Sequence, residues 1–341
     1  MKTKQLTVLL GIIILLAGLL RISAIFFVWD SHVPWKFEPE EIADLLVESG
    51  QYQFDFYHLT PVTPTSFVPP VYPMLLAFTR IVGSTIHTSL LQIIQIILSC
   101  LVIIFLYGLV IDVSGNHKQA LFAALIAAVY PPFISYSVDI STTTVETFFV
   151  ILGIWLAVRT VKNYTLINAI LCGVSLAMAA LTRSTWLPIL PLIPLWWLGN
   201  LWKKWGLWLK LSCAMGLAAV IVFFPWIYYN YRTHGVLMVT STNGGLNFWI
   251  GNNAKSNGEY IFPTQIDRAL VESTLEMSEV ERDRFFYQQG WQFILEHPQQ
   301  FIKLAFRKLL YFLFFRPNIG SSLEAAEYQL FDLVKLGFIV S

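Results

Sequence analysis

Charged residues are scarce in this sequence. Only 13% of its 341 residues are Asp, Glu, Lys or Arg, about half the share of an ordinary soluble domain. Net charge is +1, so no global field gathers nucleic acid, and a nucleic-acid partner is not expected. The three cysteines, Cys100, Cys172 and Cys213, each sit inside an apolar run without CxxC spacing or a nearby His. They read as small buried hydrophobes, not as a redox or zinc centre. The six histidines form no HxxxH or HExxH pair, so no dedicated zinc site is expected. No cofactor is implied, although a carboxylate-bound divalent metal stays open.

Apolar surface, by contrast, is abundant. Hydrophobic residues make up 56% of the chain and mean hydropathy is +0.62. A soluble protein of this size has too little interior to hide that much, so the bilayer is the expected solvent. Twelve Trp and fourteen Tyr suit interfacial aromatic belts. The expected fold is an all-α polytopic membrane protein with about nine transmembrane helices. The apolar runs are 6–29, 89–111, 119–134, 144–158, 166–181, 186–198, 208–229, 301–315 and 328–340. The first, interrupted by Arg21, is too long for a signal h-region and reads as an uncleaved span. Pro188, Pro191 and Pro194 predict a kinked sixth run. The ninth is still in progress at Ser341, which reads either as truncation or as a short final helix.

Lys2, Lys4, Lys118, Arg159, Lys162, Lys203, Lys204, Lys210 and Arg316 all fall on one side if the N-terminus is cytoplasmic. Residues 1–341 then form one transmembrane domain with two long extracytoplasmic loops, 30–88 and 230–300. Long loops in a compact chain are the functional candidates. In the first, FEPEEIADLLVESG predicts an amphipathic helix with Glu38 at or before its N-cap, Pro39 at an early position and Gly50 at its end. Its acids read either as a solvated face or as the source of a general base. The stretch TPVTPTSFVPPVYP (60–73) reads as a proline-stiffened loop leading to a short interfacial helix near Tyr72. Its Thr63, Thr65 and Ser66 either bind sugar or phosphate oxygens or are simply solvated. In the second loop, TNGGLNFWIGNN offers Asn amides and a Trp face, fit either for a sugar or for a structural cap. Residues 265–296 read as polar helix with ERDRFF a solvated charge run, and no catalytic role is assigned there.

Cations on the outer side are few. Arg183 ends the fifth span, Arg232 follows the seventh, and Lys303 and Arg307 share a face of the eighth. A cation at membrane depth needs a partner, either a protein carboxylate or an anion such as a lipid phosphate. Outer acids beside outer cations fit transfer of a sugar from a lipid phosphate. The departing phosphate then needs only cations, and a carboxylate takes the acceptor's proton.

Several segments in order carry a family likeness: EPEEIADLLVESGQYQF with TPTSFVPPVYPMLLA, then YPPFISYSVDISTTTVETF, GVSLAMAALTR, PWIYYNYRTHG with STNGGLNFWIGNN, and HPQQFIKLAFRK. Together they resemble bacterial members of the GT-C superfamily, in the branch related to protein O-mannosyltransferases and lipid A aminoarabinose transferases. The resemblance implies a plasma (inner) membrane glycosyltransferase with a GT-C-type helical bundle. Its partners would be a polyprenyl-phosphate sugar donor, membrane lipids and an extracytoplasmic glycan, lipid or protein acceptor. It implies Glu38 as the base, with Asp30 as runner-up. Arg183, Arg232, Lys303 and Arg307 would meet the donor phosphate, and Tyr72, Asn243 and Asn252 the substrate. One departure is Tyr229, which stands where the family carries Arg. A transporter or flippase of lipid-linked sugars is the alternative, although the internal repeats expected of one are not visible. A structural envelope subunit is the third reading.

Overall fold

A computed structural model of the chain describes residues 3–28 and 37–313. Asp30, Arg316 and the ninth apolar run lie outside them. The described residues are almost wholly helical and fall into two compact units, one of residues 1–51 and 69–240, the other of residues 52–68 and 241–341. Both long loops expected from the sequence contribute to the second unit.

In the first unit, α1 spans Thr3–Val28, α2 Glu38–Ser49, α3 Val71–Gly83, α4 His87–Ser114 and α5 His117–Val129. There follow α6 at Pro131–Ser135, α7 at Thr143–Asn163, α8 at Leu166–Thr182, α9 at Ile189–Leu201 and α10 at Trp205–His234. Four stretches are long and apolar enough to cross a membrane: Gln5–Phe26, Val71–Ser114, Thr143–Asn163 and Trp205–His234. The helices α5 and α8 are apolar but shorter. At 13 residues, α5 reaches only about 20 Å, because Pro131 and Pro132 end it. The nine expected spans are therefore met in part among the described residues.

The packing is tight where side chains are small. A Cβ at Gly173 would lie 2.2 Å from the Met215 carbonyl oxygen, and one at Gly153 would lie 2.5 Å from Leu176. So α8 meets α10 and α7 at close range, the usual solution for helices in lipid. Trp197, Leu176, Met215 and Leu211 fill the core around them. One end of the bundle gathers cations. Asp112 accepts from Lys162 Nζ at 2.8 Å and lies 3.8 Å from Arg159, and the Lys204 ammonium sits 4.2 Å over the Tyr164 ring. These are cations that the charge pattern assigned to a single side.

The second unit begins with a short antiparallel pair, β1 (Gln53–Phe54) and β2 (Thr63–Pro64). It continues with α11 (Gly244–Gly251), α12 (Pro263–Glu272), α13 (Glu279–Glu296) and α14 (Pro298–Leu313). Its core holds Trp249 against Phe286, ring centroids 5.0 Å apart. Phe54 stacks on Phe67 at 5.2 Å, and the Arg282 guanidinium lies 4.2 Å over Phe56.

Candidate functional site

The polar end of the first unit is organised by one stripe on α4. Gln92, Gln95 and Ser99 are spaced three and four apart, so they share a helix face. Gln92 Nε2 donates to the Val138 carbonyl at 2.9 Å, Gln95 Nε2 to the Asp139 carbonyl at 2.7 Å, and Ser99 Oγ to the Phe133 carbonyl at 3.4 Å. Thr144 Oγ1 adds a 2.7 Å bond to the Tyr136 carbonyl. All of these hold residues 130–142, the connection between α5 and α7 that contains the short α6. Irregular backbone at membrane depth persists only where its carbonyls are satisfied from within. Ser99, Tyr136, Thr143, Thr144 and Thr147 line a small hollow beside it, with Val102 and Phe133.

This stretch delivers Glu146 in the first turn of α7. Its carboxylate is 7% exposed, receives Trp186 Nε1 at 2.8 Å, and lies 3.3 Å from Arg183 Nη1. Arg183 is placed by the end of α8. Its backbone turns extended, with φ −150° and ψ 119°, while its N–H still bonds the Ala179 carbonyl. The Arg183 side chain is 56% exposed. The acid is thus buried with a donor on each oxygen, while the Arg183 side chain is more than half exposed and carries donors of the kind that suit a phosphate.

The structure places the other expected residues as follows. Glu38 is the first helical residue of α2, with Phe37 as N-cap, and it is Glu40 that reaches back to the Phe37 N–H at 3.2 Å. Gly50 ends the helix in the left-handed region at φ 71°. Asp44 pairs with Arg80 at 2.8 Å. Tyr72 is 1% exposed and donates to Gln95 Oε1 at 3.2 Å, so it is a core residue with no surface for a substrate. Arg232 is exposed in the last turn of α10. One turn earlier, Trp226 and Asn230 fasten the carbonyls of Thr240 and Met238. Tyr229 stacks on Trp226, ring centroids 5.0 Å apart. The acid beside Arg183 is therefore Glu146 of α7. The clue was a Glu at the head of an apolar run in STTTVETFF.

The remaining expected residues belong to the second unit. Lys303 and Arg307 are exposed on α14. Arg307 donates from Nη1 to the Asn257 carbonyl at 3.3 Å, so one of its donors is met within the second unit. Asn243 caps α11 and its Oδ1 accepts from Ser241 Oγ at 2.9 Å. Asn252 is 7% exposed, donates to the Phe248 carbonyl at 2.8 Å, and leaves its buried Oδ1 without a partner. Trp249 is 4% exposed. Of the two readings of TNGGLNFWIGNN, the structural cap fits these contacts.

In the run ERDRFF, Glu281 and Arg284 are solvated as expected, while the other four residues are partly or fully buried. Glu279, Arg282, Asp283 and Phe286 fall on the inward face of α13, spaced as one helical stripe. Glu279 accepts from Thr65 Oγ1 at 2.7 Å, from the Ser66 N–H at 2.8 Å and from Thr242 Oγ1. The Thr65 hydroxyl, read as a possible sugar contact, is engaged there. Asp283 accepts from the Gly245 N–H at 2.6 Å. Burial pushes its carboxyl up to about 6, with the nearby Glu279 charge adding to the rise. With Phe56 and Phe67 these acids border a small hollow. The sequence signal was present: the Ser278 and Glu281 capping box marks the start of α13 and fixes which residues face inward.

Residues 68–229, just under half of the chain, match the sequence model of a family described as dolichyl-phosphate-mannose-protein mannosyltransferase. The match takes in α3 to nearly the end of α10, and with them Glu146, Arg183 and the 130–142 stretch. No curated protein matches the chain significantly.

Proposed function

We propose that this protein is an integral-membrane glycosyltransferase that moves a sugar from a polyprenyl-phosphate donor to an acceptor outside the cytoplasm. The family match over residues 68–229 carries the reading; its description names a lipid-phosphate sugar donor and a mannosyl group. The apolar helices and the outward-facing Arg183 support it. In the reaction, Glu38 takes the proton from the acceptor hydroxyl as that oxygen attacks the anomeric carbon. The bond from the anomeric carbon to the phosphate oxygen breaks, and the polyprenyl phosphate leaves with one more negative charge. Arg183, oriented by Glu146 and Trp186, meets that charge, with Arg232 as a second cation. In the second unit, exposed Lys303 and Arg307 offer an anionic headgroup contacts of its own.

The test supplies the purified full chain with labelled polyprenyl-phosphate sugars and cell-envelope extract, and measures covalent transfer. Wild type transfers label, while Glu38→Gln folds normally and does not. Full turnover in Glu38→Gln moves the base to another carboxylate. Lipid translocation without covalent transfer in wild type overturns the enzyme in favour of a transporter.

A further inference from the structure

Arg21 lies within the apolar stretch Gln5–Phe26 and is 0% exposed. A guanidinium at such depth is expensive unless its donors are met. Here they are met by oxygens that carry no formal charge. Nε donates to Ser99 Oγ at 2.8 Å, Nη1 to the Ala17 and Ala128 carbonyls at 3.0 Å each, and Nη2 to the Ala127 carbonyl at 3.4 Å. The choice of two of those carbonyls has a specific cause. In a continuing helix, Ala127 and Ala128 would accept from the N–H groups of residues 131 and 132. Both of those residues are proline and have no N–H to give. The guanidinium occupies the place of two missing backbone donors. It also brings its positive charge to the carbonyl end of α5, the negative pole of that helix.

We propose that Arg21 is a positioning residue, standing in for the donors that Pro131 and Pro132 withhold and thereby fixing the 130–142 stretch that carries α7 and Glu146 to Arg183. The functional half of this inference rests on the glycosyltransferase reading; the structural half does not. Ser99 joins the two halves, since it accepts from Arg21 and donates to the Phe133 carbonyl within the stretch. Lysine does not replace arginine in this role. One ammonium cannot span Ser99, Ala127 and Ala128 as a planar fork does. A ligand-binding role does not fit, because the group is sealed from both lipid and water.

The experiment compares Arg21→Met, Arg21→Gln and Arg21→Lys in the full chain, each with and without Pro131→Ala plus Pro132→Ala, which restore the two N–H groups. Thermal unfolding in detergent and the kcat and KM of sugar transfer are read. Arg21→Met is expected to lower the melting temperature by about 5 °C or more and kcat at least tenfold, with donor KM changed less. The added alanines recover most of both losses, while in the wild-type background they give no gain. If Arg21→Met does not accumulate in the membrane, recovery of accumulation by the alanines is the readout, with Arg21→Gln as the milder case. Alanines that shift melting equally in both backgrounds overturn the stand-in. Recovered melting with a kcat that Arg21→Met never lowered overturns the positioning role. Absence of transfer in wild type defeats the enzymatic reading alone, because the melting comparison still decides the rest.

Discussion

Glu146 in the first unit and Glu279 in the second are both largely withdrawn from water in the first turn of a helix, where the dipole favours a carboxylate. They are held by different chemistry. Glu146 faces the indole N–H of Trp186 and the guanidinium of Arg183, whose side chain is more than half exposed. Glu279 grips two hydroxyls and an amide from segments more than 170 residues apart in sequence. The first arrangement leaves a cation fixed in direction and open to a further anion. The second consumes its charge in fastening chain to chain. The two acids thus divide into one that holds a neighbouring guanidinium and one that closes a fold.

Substitutions separate the two roles. The largest effect belongs to Arg183→Ala, expected to cut transfer about 100-fold or more; combined with Glu146→Gln, which avoids stranding a buried carboxylate, it should keep that loss while thermal unfolding barely moves, and equal loss of both would make Arg183 structural. Glu279→Ala strands buried donors at Thr65, Ser66 and Thr242 and is expected to cost about 2–3 kcal/mol, seen in denaturant unfolding. A neutral result there would dissolve the clasp. Glu146→Gln keeps an acceptor for Trp186 but loses the charge that orients Arg183. About tenfold in kcat, with stability near wild type, is the expected outcome.

The smallest effect is one of pH. The carboxyl of Asp283 is raised from 3.8 to about 6, so the folded state holds its proton more tightly than the unfolded one. Its contribution to stability is full below about pH 4 and is lost as pH rises through about 6. Melting of wild type should therefore fall across that window relative to Asp283→Asn, which lacks the titration. Parallel pH profiles for the two proteins would show that Asp283 does not titrate there.

Local features were legible in the sequence. Pro39 and Gly50 bracket α2, Pro69 and Pro70 precede α3, and the apolar runs that lie within the described residues are largely helical, because each signal lies within a turn of what it controls. Partners across long separations were not legible. Arg21 reads as an interruption of an apolar run, because the carbonyls that explain it are more than 100 residues on and have no side-chain signature. Arg183 was singled out as a cation of interest, but its partner was sought in the first loop. Which acid reaches it depends on where α7 begins, and that is set by backbone carbonyls meeting Gln92, Gln95 and Ser99. The inward stripe of α13 was readable and was missed by counting its charges before laying them on a helix.

The second unit is stitched from residues 52–68 and a segment that starts at Ser241. During synthesis the earlier piece emerges long before the residues that cover it. At ribosomal speed that interval is on the order of ten seconds or more, with Phe56 and Phe67 bare throughout. Whatever shelters those two rings in the meantime, whether the translocation machinery, a chaperone or the nascent loop itself, stands between a newly made chain and a finished protein.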